Sequence, residues 1–383
     1  MKTLKTGRIN NIVFVGRFVE NEILSGPEKF SKRIFGKIAA HFPAGTTSFI
    51  QYFFDGRIYS LREKLFGFQE AEHDVSKVYR AGSIRFYRLL KKLNPAVIHI
   101  TAFERFAVIA VLYRLLNRAK IVYTCNGIVK YENSALKRVS FIYKFKDSIC
   151  ERMLFWFSDV IVFPSGKALE LSKHYYKNSE LKSVVIPNGI DEVFKHAAGN
   201  KAHQAETGKA INAVFIYKNE MNDSGLNFLK SIPENISGDI IIHIITKHEI
   251  NTTGINSAIK LIKPMDTIEL AEFYNDKDVF FSLNEYDTFS ISTAEAMASG
   301  VLPVVTLQSG ISSFIKNEIN GFTLNYGDSH ALAEIISKIQ SMDHNARLNM
   351  KQNASDIYEK LNWSIAAESY IHKYKQLAGD IND

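Results

Sequence analysis

The sequence predicts an α/β protein built from two Rossmann-like domains, and three observations carry that prediction. Short runs of Ile, Val and Phe alternate with stretches of helical periodicity along most of the chain. The alternation comes as two series, with a turn signal, Pro187-Asn188-Gly189, between them. At 383 residues the chain exceeds what one ordinary core fills and suits two. Continuous apolar strands joined through helices read as parallel sheets covered on both faces.

In the first series the strand-like runs are 11–15, 48–54, 97–100, 121–124, 160–163 and 183–186, with helical stretches at 28–40, 103–116, 136–157 and 167–176. In the second, strands fall at 213–217, 239–246, 278–283 and 303–306, and helices at 267–274, 293–299 and 330–340. Residues 196–210 are poor in large apolar side chains and read as a surface loop or hinge.

Composition narrows the function classes. With 46% hydrophobic and 23% charged residues, whole-chain disorder is excluded. No apolar run approaches the roughly 18–20 residues that span a bilayer. The basic N-terminus (Lys2, Lys5, Arg8) precedes an apolar run of strand length, Ile12 to Val15, and not a secretory signal. Cys125 and Cys150 are the only cysteines, too few for a disulfide framework or a cysteine-clustered zinc site. A cytoplasmic protein is expected. Charge is asymmetric: residues 1–190 hold 31 Lys+Arg against 15 Asp+Glu, a balance of +16, while the remaining 16 basic and 25 acidic residues give −9. The first half therefore faces something anionic, with a membrane, nucleic acid and a phosphorylated acceptor as candidates, unless the asymmetry is drift in surface charge.

The segment 281–305 concentrates the chemistry. A strand ends near Leu283, a polar loop follows, and a helix opens near Ser292 or Thr293 and stops at Gly300. A helix N-terminus at the carboxyl end of a parallel strand is where open α/β sheets bind ligands, and its amides and dipole favour phosphate. Asp287 and Glu295 could flank that phosphate. Alternatively, Ser292-Thr-Ala-Glu295 is a capping box and Asp287 a turn residue.

The same segment resembles the signature of retaining family-4 glycosyltransferases of the GT-B fold. Glu295-Ala-Met-Ala-Ser-Gly300-Val-Leu-Pro303-Val-Val305 follows the family's Glu-Ala-Met-Ala-x-Gly-x-Pro-Val-Val with one extra residue. Phe289 matches, and Asp287 stands for the family's first glutamate. The resemblance continues through Ser309-Gly310, Asn320-Gly321-Phe322, the junction Val185-Ile-Pro-Asn-Gly-Ile-Asp191 and Asn362-Trp363-Ser364 before a final helix. It implies two Rossmann-like domains facing across a cleft: an acceptor-binding domain at 1–189, a nucleotide-sugar-binding domain at 190–361, and a C-terminal helix at 362–383 crossing back to the first. It implies that Glu295 binds ribose hydroxyls, that Asp287 holds donor-sugar hydroxyls, and that backbone around Phe289, Ser290 and Ile291 meets the diphosphate. Gly26, in Ser25-Gly26-Pro27-Glu28, resembles the glycine-rich loop where backbone approaches phosphate or acceptor; a plain strand-to-helix turn is the other reading.

The match departs from the family in its cations. Where the family has Gly-Arg and then Lys-Gly, this chain has Tyr217-Lys218 and Ser224-Gly225. Lys218 substitutes for arginine as a point charge without the bidentate fork, and Ser224 carries no charge. The family's Thr-x-His-Gly reads Thr124-Cys125-Asn126-Gly127, and Asn126 can hydrogen-bond but cannot act as acid or base near neutral pH. The resemblance thus implies a catalytic set of Asp287, Lys218 and Asn126, with Glu295, Phe289, Ser290, Ile291, Gly26 and Ser224 at the donor. It implies a hexosyl transfer with retention from a nucleotide sugar, a UDP-sugar ahead of GDP-mannose, to a glycan or lipid-linked acceptor in bacterial surface-polysaccharide assembly. No cofactor and no metal are expected. A catalytically degenerate partner subunit is the alternative.

Lys77, Arg80, Arg85, Arg88, Lys91 and Lys92, beside Ile84, Leu89, Leu90 and Leu93, read either as a membrane-facing amphipathic helix or as a sheet-covering helix with solvated cations. The aromatic, basic stretch 141–157 would add to a membrane contact. An anionic membrane is accordingly an expected partner, giving peripheral attachment at the inner face. No recognised nucleic-acid motif is present, and nucleic acid is not an expected partner. His99 reads as a satisfied buried histidine.

Overall fold

The structure, a computed structural model, describes residues 11–19, 23, 25–52, 60–73, 76–135, 140–177, 179–195, 210–218, 220–237 and 239–379. The basic N-terminus and the expected hinge, save Ala210, lie outside the described residues. The chain divides into two compact units, residues 1–187 with 363–383 and residues 188–362.

Unit 1 is built on β1 (Ile12–Val15), β2 (Thr47–Gln51), β3 (Phe68–His73), β4 (Ser76–Ala81), β5 (Val97–Ile100), β6 (Lys120–Thr124), β7 (Val160–Phe163) and β8 (Ser183–Val185). Its helices are α1 (Gly26–Ala39), α2 (Leu61–Phe66), α3 (Ser83–Leu93), α4 (Val108–Leu116), α5 (Val129–Ala135), α6 (Phe141–Phe157) and α7 (Gly166–Tyr175). The strand order is β3-β4-β2-β1-β5-β6-β7-β8, parallel throughout except for the antiparallel β3–β4 edge. β1 is buried at every residue, as a strand covered on both faces must be. One cluster, around Tyr123, Phe155 and Phe163, covers one side of the sheet. The other, around Phe14, Phe30 and Phe49, is closed by the terminal helix Trp363–Gly379. That helix buries Trp363, Ala366, Ala367, Tyr370, Ile371 and Tyr374, a three-and-four spacing that makes one apolar stripe.

Two expectations for unit 1 are corrected. The basic stretch beginning at Lys77 is not one helix: residues 76–81 form β4, paired in parallel with β2. Only residues 83–93 are helical, and α3 turns Phe86, Leu89 and Leu90 into the core. Its apolar stripe therefore covers the sheet. The helix expected over 136–157 is α6 from Phe141, with α5 a separate element before it.

Unit 2 contains β9 (Ile211–Ile216), β10 (Ile240–Ile245), β11 (Ala258–Ile262), β12 (Val279–Ser282), β13 (Leu302–Thr306) and β14 (Phe322–Leu324). Its helices are α8 (Asp223–Leu229), α9 (Glu234–Ser237), α10 (Thr267–Tyr274), α11 (Ile291–Ala298), α12 (Ser329–Ser341) and α13 (His344–Ser355). The parallel order β11-β10-β9-β12-β13-β14 is the Rossmann sequence 3-2-1-4-5-6, whose direction reverses between β9 and β12. α11 is buried along nearly its whole length, and Gly300, at φ +80°, supplies the left-handed residue that ends it.

Candidate functional site

In unit 2 the reversal point gathers most of the expected donor residues. Lys218 lies two residues beyond β9, and the loop 283–290 leaves β12 beside it. The exposed Lys218 ammonium donates to Ser292 Oγ at 3.2 Å, which places a cation on the first turn of α11. Ile291 and Ser292 open the helix, where amides lie beyond intrahelical acceptors. Lys218 and these amides together form an electropositive corner suited to phosphate oxygens.

Asp287 orders the loop. Its Oδ1 accepts from the amides of Phe289 at 3.1 Å and Ser290 at 3.0 Å, the local turn bonding expected of Asp. Its carbonyl accepts from the Gly310 amide at 2.9 Å. The Phe289 side chain is buried and meets Phe314 edge-on at 6.2 Å, so only its backbone is available to a ligand. Ser290 adopts φ +68°, and its hydroxyl pairs with Thr293 Oγ1 at 2.7 Å. This strained residue sets the angle at which the chain enters α11. Ser224 Oγ accepts the Glu285 amide at 3.1 Å, tying α8 to the start of the loop. Gly225 is required there by close approach, because a Cβ would fall 2.5 Å from Asn284 Oδ1. Glu295 is 1% exposed on α11 and is no capping-box residue, since the helix begins at Ile291 and not near Thr293. Its charge contributes to raising the buried Tyr274 phenol above the ordinary range, after burial itself.

Asn126 and Gly26 lie in unit 1. Asn126 follows β6 and donates from Nδ2 to the Thr101 carbonyl at 2.8 Å. Gly26 is the first residue of α1, where Glu28 accepts the Ser25 amide at 2.9 Å. A Cβ on Gly26 would meet nothing within 4 Å, so protein contacts leave open space at this turn.

Asn126 lines a cavity of about 840 Å3 at the carboxyl ends of β1, β5 and β6. Arg17, Glu104, Arg105, Glu132 and Asp147 supply its charges, and Tyr52, Phe103 and Phe106 its aromatic surface. Arg17 Nε donates to Glu104, and Arg105 Nε to Asp147 at 2.5 Å. Burial pushes the Glu104 carboxyl up, against the pull of Arg17. Behind the cavity, Glu151 of α6 is fully buried and accepts the Val129 and Lys130 amides at 2.7 and 3.0 Å, together with the Tyr176 hydroxyl. It therefore fixes the turn carrying Asn126 to the start of α5. These residues escape sequence inspection because they are scattered, although Arg17 and Glu104 each follow a strand on the ligand-binding edge. Cys125 is buried with its thiol pushed well up by burial, which makes it unreactive.

The exposed surface of α6 is aromatic. Phe141, Ile142, Tyr143, Phe145, Ile149 and Trp156 are between 46% and 80% exposed, while the helix's two carboxylates, Asp147 and Glu151, are buried. Lys146 and Arg152 share the exposed side, and neighbouring α4 adds Leu112, Leu115 and Leu116. No helix among the described residues is long and apolar enough to cross a membrane.

Comparison with known proteins decides the family. Residues 70–194 match the family model for Glycosyltransferase Family 4, and residues 242–356 that for Glycosyl transferases group 1, together more than half of the chain. The chain belongs to glycosyltransferase family 4, with the GT-B fold. An uncharacterized glycosyltransferase of Methanocaldococcus jannaschii is 32% identical over 107 residues, 28% of this chain and 27% of that protein. The match thus spans about a quarter of the relative's length. Sucrose-phosphate synthase from Thermosynechococcus elongatus superposes with a TM-score of 0.76 at 14% identity, covering 97% of this chain and all of that one. HepE from Anabaena, solved with UDP and glucose, gives 0.69 at 14% identity over 96% of this chain and all of its own. At such identities the likeness concerns the fold.

Proposed function

We propose that this family-4 chain is a retaining glycosyltransferase moving a sugar from a nucleotide sugar, a UDP-sugar ahead of GDP-mannose, to a hydroxyl of a glycan or lipid-linked acceptor in bacterial surface-polysaccharide assembly. The observation that carries the proposal is the Lys218 ammonium on Ser292 at the start of α11, beside the loop ordered by Asp287. A diphosphate seated there has a cation and helix amides at its oxygens before reaction begins, so charge developing on the leaving group is met without reorganisation. The bond from the anomeric carbon to the diphosphate breaks, the acceptor oxygen bonds on the same face, and its proton passes to a diphosphate oxygen. Asp287, with Oδ1 engaged by the loop, offers Oδ2 to the donor sugar, and Glu295 takes the ribose hydroxyls. The acceptor enters the unit 1 cavity, where Asn126 orients it by hydrogen bonding. UDP in the HepE structure supports the choice of base. No metal or cofactor takes part in this scheme.

The aromatic, basic face of α6 supports peripheral attachment to the inner face of the membrane. Interfacial helices pair an apolar side with Lys and Arg, and each cation near an anionic leaflet contributes about 1 kcal/mol.

A catalytically degenerate partner subunit is the second reading. It is favoured by Ser224, which accepts the Glu285 amide and brings no charge where the family keeps a cation. Calorimetric titration of UDP and GDP into wild type and Glu295→Gln separates the two. Exchanging a charged acceptor for a neutral one at two ribose hydroxyls costs about 2 kcal/mol, so the variant binds its nucleotide about 30-fold more weakly. If neither nucleotide binds wild type, the partner-subunit reading replaces the transferase.

A further inference from the structure

Arg114 and Arg105 each meet an aspartate in unit 1, and they do so differently. Arg114 engages Asp159 with two nitrogens, Nε to Oδ2 at 2.9 Å and Nη2 to Oδ1 at 2.7 Å, the fork that closes a structural ion pair. Arg105 engages Asp147 through Nε alone, to Oδ1 at 2.5 Å. The other oxygen of Asp147, Oδ2, accepts instead from Nδ2 of the buried Asn133 at 3.4 Å. Among the described residues, neither Nη group of Arg105 donates a hydrogen bond. Arg105 lines the cavity of about 840 Å3, with its side chain 42% exposed.

The guanidinium is thus held at one end and open at the other. Asp147, 8% exposed, fixes Nε, and the Tyr143 ring lies 4.8 Å from the guanidinium carbon. The Nη pair is on the side away from Nε, and its two parallel N–H groups match two oxygens of a phosphate or carboxylate. An anion there shares the cation with Asp147 and does not displace it, because only one of the five N–H donors is spent. A neutral hydroxyl gains less, since charge on the acceptor roughly doubles the strength of such bonds. Tyr143 belongs to the exposed aromatic face of α6, so Arg105 stands where the cavity meets that face.

We infer that the Nη pair of Arg105 receives an anionic group of the acceptor, a phosphate or a carboxylate. The inference deepens the proposed transfer by giving the chemical class of its acceptor, and rests on that reading only for the word acceptor. Two sources present such a group: a charged sugar, and the phosphate of a lipid carrier arriving along α6. Either gives a place to the phosphorylated acceptor that the +16 balance of the first half invites.

The test is a ligand-observed NMR titration of the full chain, with and without UDP. The probes are glucose 6-phosphate, glucuronate and dihexanoyl phosphatidic acid, against methyl α-D-glucopyranoside. At least one anionic probe is expected to bind about 10-fold more tightly than the neutral glycoside. Arg105→Lys keeps the charge beside Asp147 and loses the fork, so it should abolish that gain and leave neutral binding within about twofold. Arg114→Lys, made in the bidentate pair, should leave the gain intact. Should Arg105→Lys unfold unit 1, the double variant Arg105→Gln with Asp147→Asn removes both charges and is read in the same way. Which probe gains distinguishes sugar phosphate, sugar carboxylate and lipid phosphate. Because the start of α11 also suits phosphate, only affinity that the Arg105 variant removes counts. The inference is overturned if no anionic probe binds more tightly than the neutral glycoside. It is also overturned if the Arg105 variant keeps the gain, or if Arg114→Lys removes it equally. UDP binding is read in the same samples. Absence of UDP binding with the Arg105-dependent gain intact refutes the donor reading and leaves this inference standing.

Discussion

Acidification should destabilise unit 1 through a single imidazole. His99 on β5 is fully buried, and all its hydrogen-bond partners are hydroxyls: Tyr374 at Nδ1, 2.6 Å, and Thr124 at Nε2, 2.8 Å. Thr124 in turn bonds the Tyr370 hydroxyl at 2.9 Å, and the Tyr370 ring stacks on His99 at 4.9 Å. The imidazole thus ties the terminal helix to the centre of the sheet. Hydroxyls can turn to accept from either nitrogen, but none carries the charge that would compensate an imidazolium. Burial accordingly lowers the pKa from 6.5 to about 3.

The folded pKa lies below the unfolded one, so between these values the unfolded chain binds more protons. Stability is complete above pH 6.5 and declines as pH falls towards about 3. Each tenfold loss of proton affinity on folding corresponds to about 1.4 kcal/mol, giving about 2 kcal/mol lost by about pH 5 and up to about 5 kcal/mol in the acid limit. Both tryptophans, Trp156 and Trp363, belong to unit 1, so their fluorescence follows its unfolding separately from unit 2. This matters because unit 2 has its own depressed histidine, His243, at about 4 through burial and the nearby Lys277 and Lys260. Urea unfolding at about pH 7.5 and about pH 5 should show wild type losing about 2 kcal/mol more than His99→Asn over that interval. Glu104 and Glu151, whose carboxyls are raised, act with the opposite sign but are common to both proteins. Should His99→Asn fold too weakly, Tyr374→Phe removes one hydroxyl partner and keeps the imidazole and its acid sensitivity. Parallel pH profiles for wild type and His99→Asn would refute the reasoning.

Three further outcomes are expected. Lys218→Ala should lower sugar transfer about 100-fold or more while Lys218→Arg retains most of it, since the loss is of one preorganised charge at the leaving group; equal defects in the two would show that shape, not charge, matters there. Glu151→Gln should cost unit 1 about 1–3 kcal/mol by tryptophan fluorescence, because one neutral carbonyl replaces a carboxylate serving two amides and a phenol. Phe145→Ser with Trp156→Ser should cut sedimentation with anionic vesicles about 10-fold or more at low salt, with residual binding of wild type falling as salt is raised. Wild type that stays in the supernatant at every salt concentration would remove the membrane from the proposal.

What the sequence disclosed follows physical lines. β1, β5, β7, β9 and β12 are apolar on both faces, and such runs have few other readings. β3, Phe-Gln-Glu-Ala-Glu-His, has no strand composition and is exposed along its length. It is a strand only because β4 offers an edge, with Lys77 reaching across to Glu70 at 2.5 Å. The same pairing takes Lys77 to Ala81 out of the helix that the run of basic residues suggests, and Gly82 caps the real helix behind them. β14 has three residues, and α13 has almost no apolar face to give a period. The corner at the start of α11 was legible as a cluster because Asp287 to Glu295 is one contiguous segment and Lys218 follows the strong strand β9 by two residues. The unit 1 cavity was not, because residues 17, 52, 104, 105, 132 and 147 meet only through the sheet order.

The two units set the same construction to opposite electrostatic ends. Each first strand is followed two residues later by a cation, Arg17 after Val15 of β1 and Lys218 after Ile216 of β9, and each cation stands where the strand order reverses. In unit 1 the neighbour across the reversal is the carboxylate of Glu104. In unit 2 it is the hydroxyl of Ser292 on a helix start. The Glu104 carboxylate pairs with its cation and adds acceptor sites to that corner. Ser292 brings the start of α11 to Lys218, and the amides and dipole of that helix start favour ligands that bring phosphate. The strand order by itself does not set that difference. The residue facing each cation does.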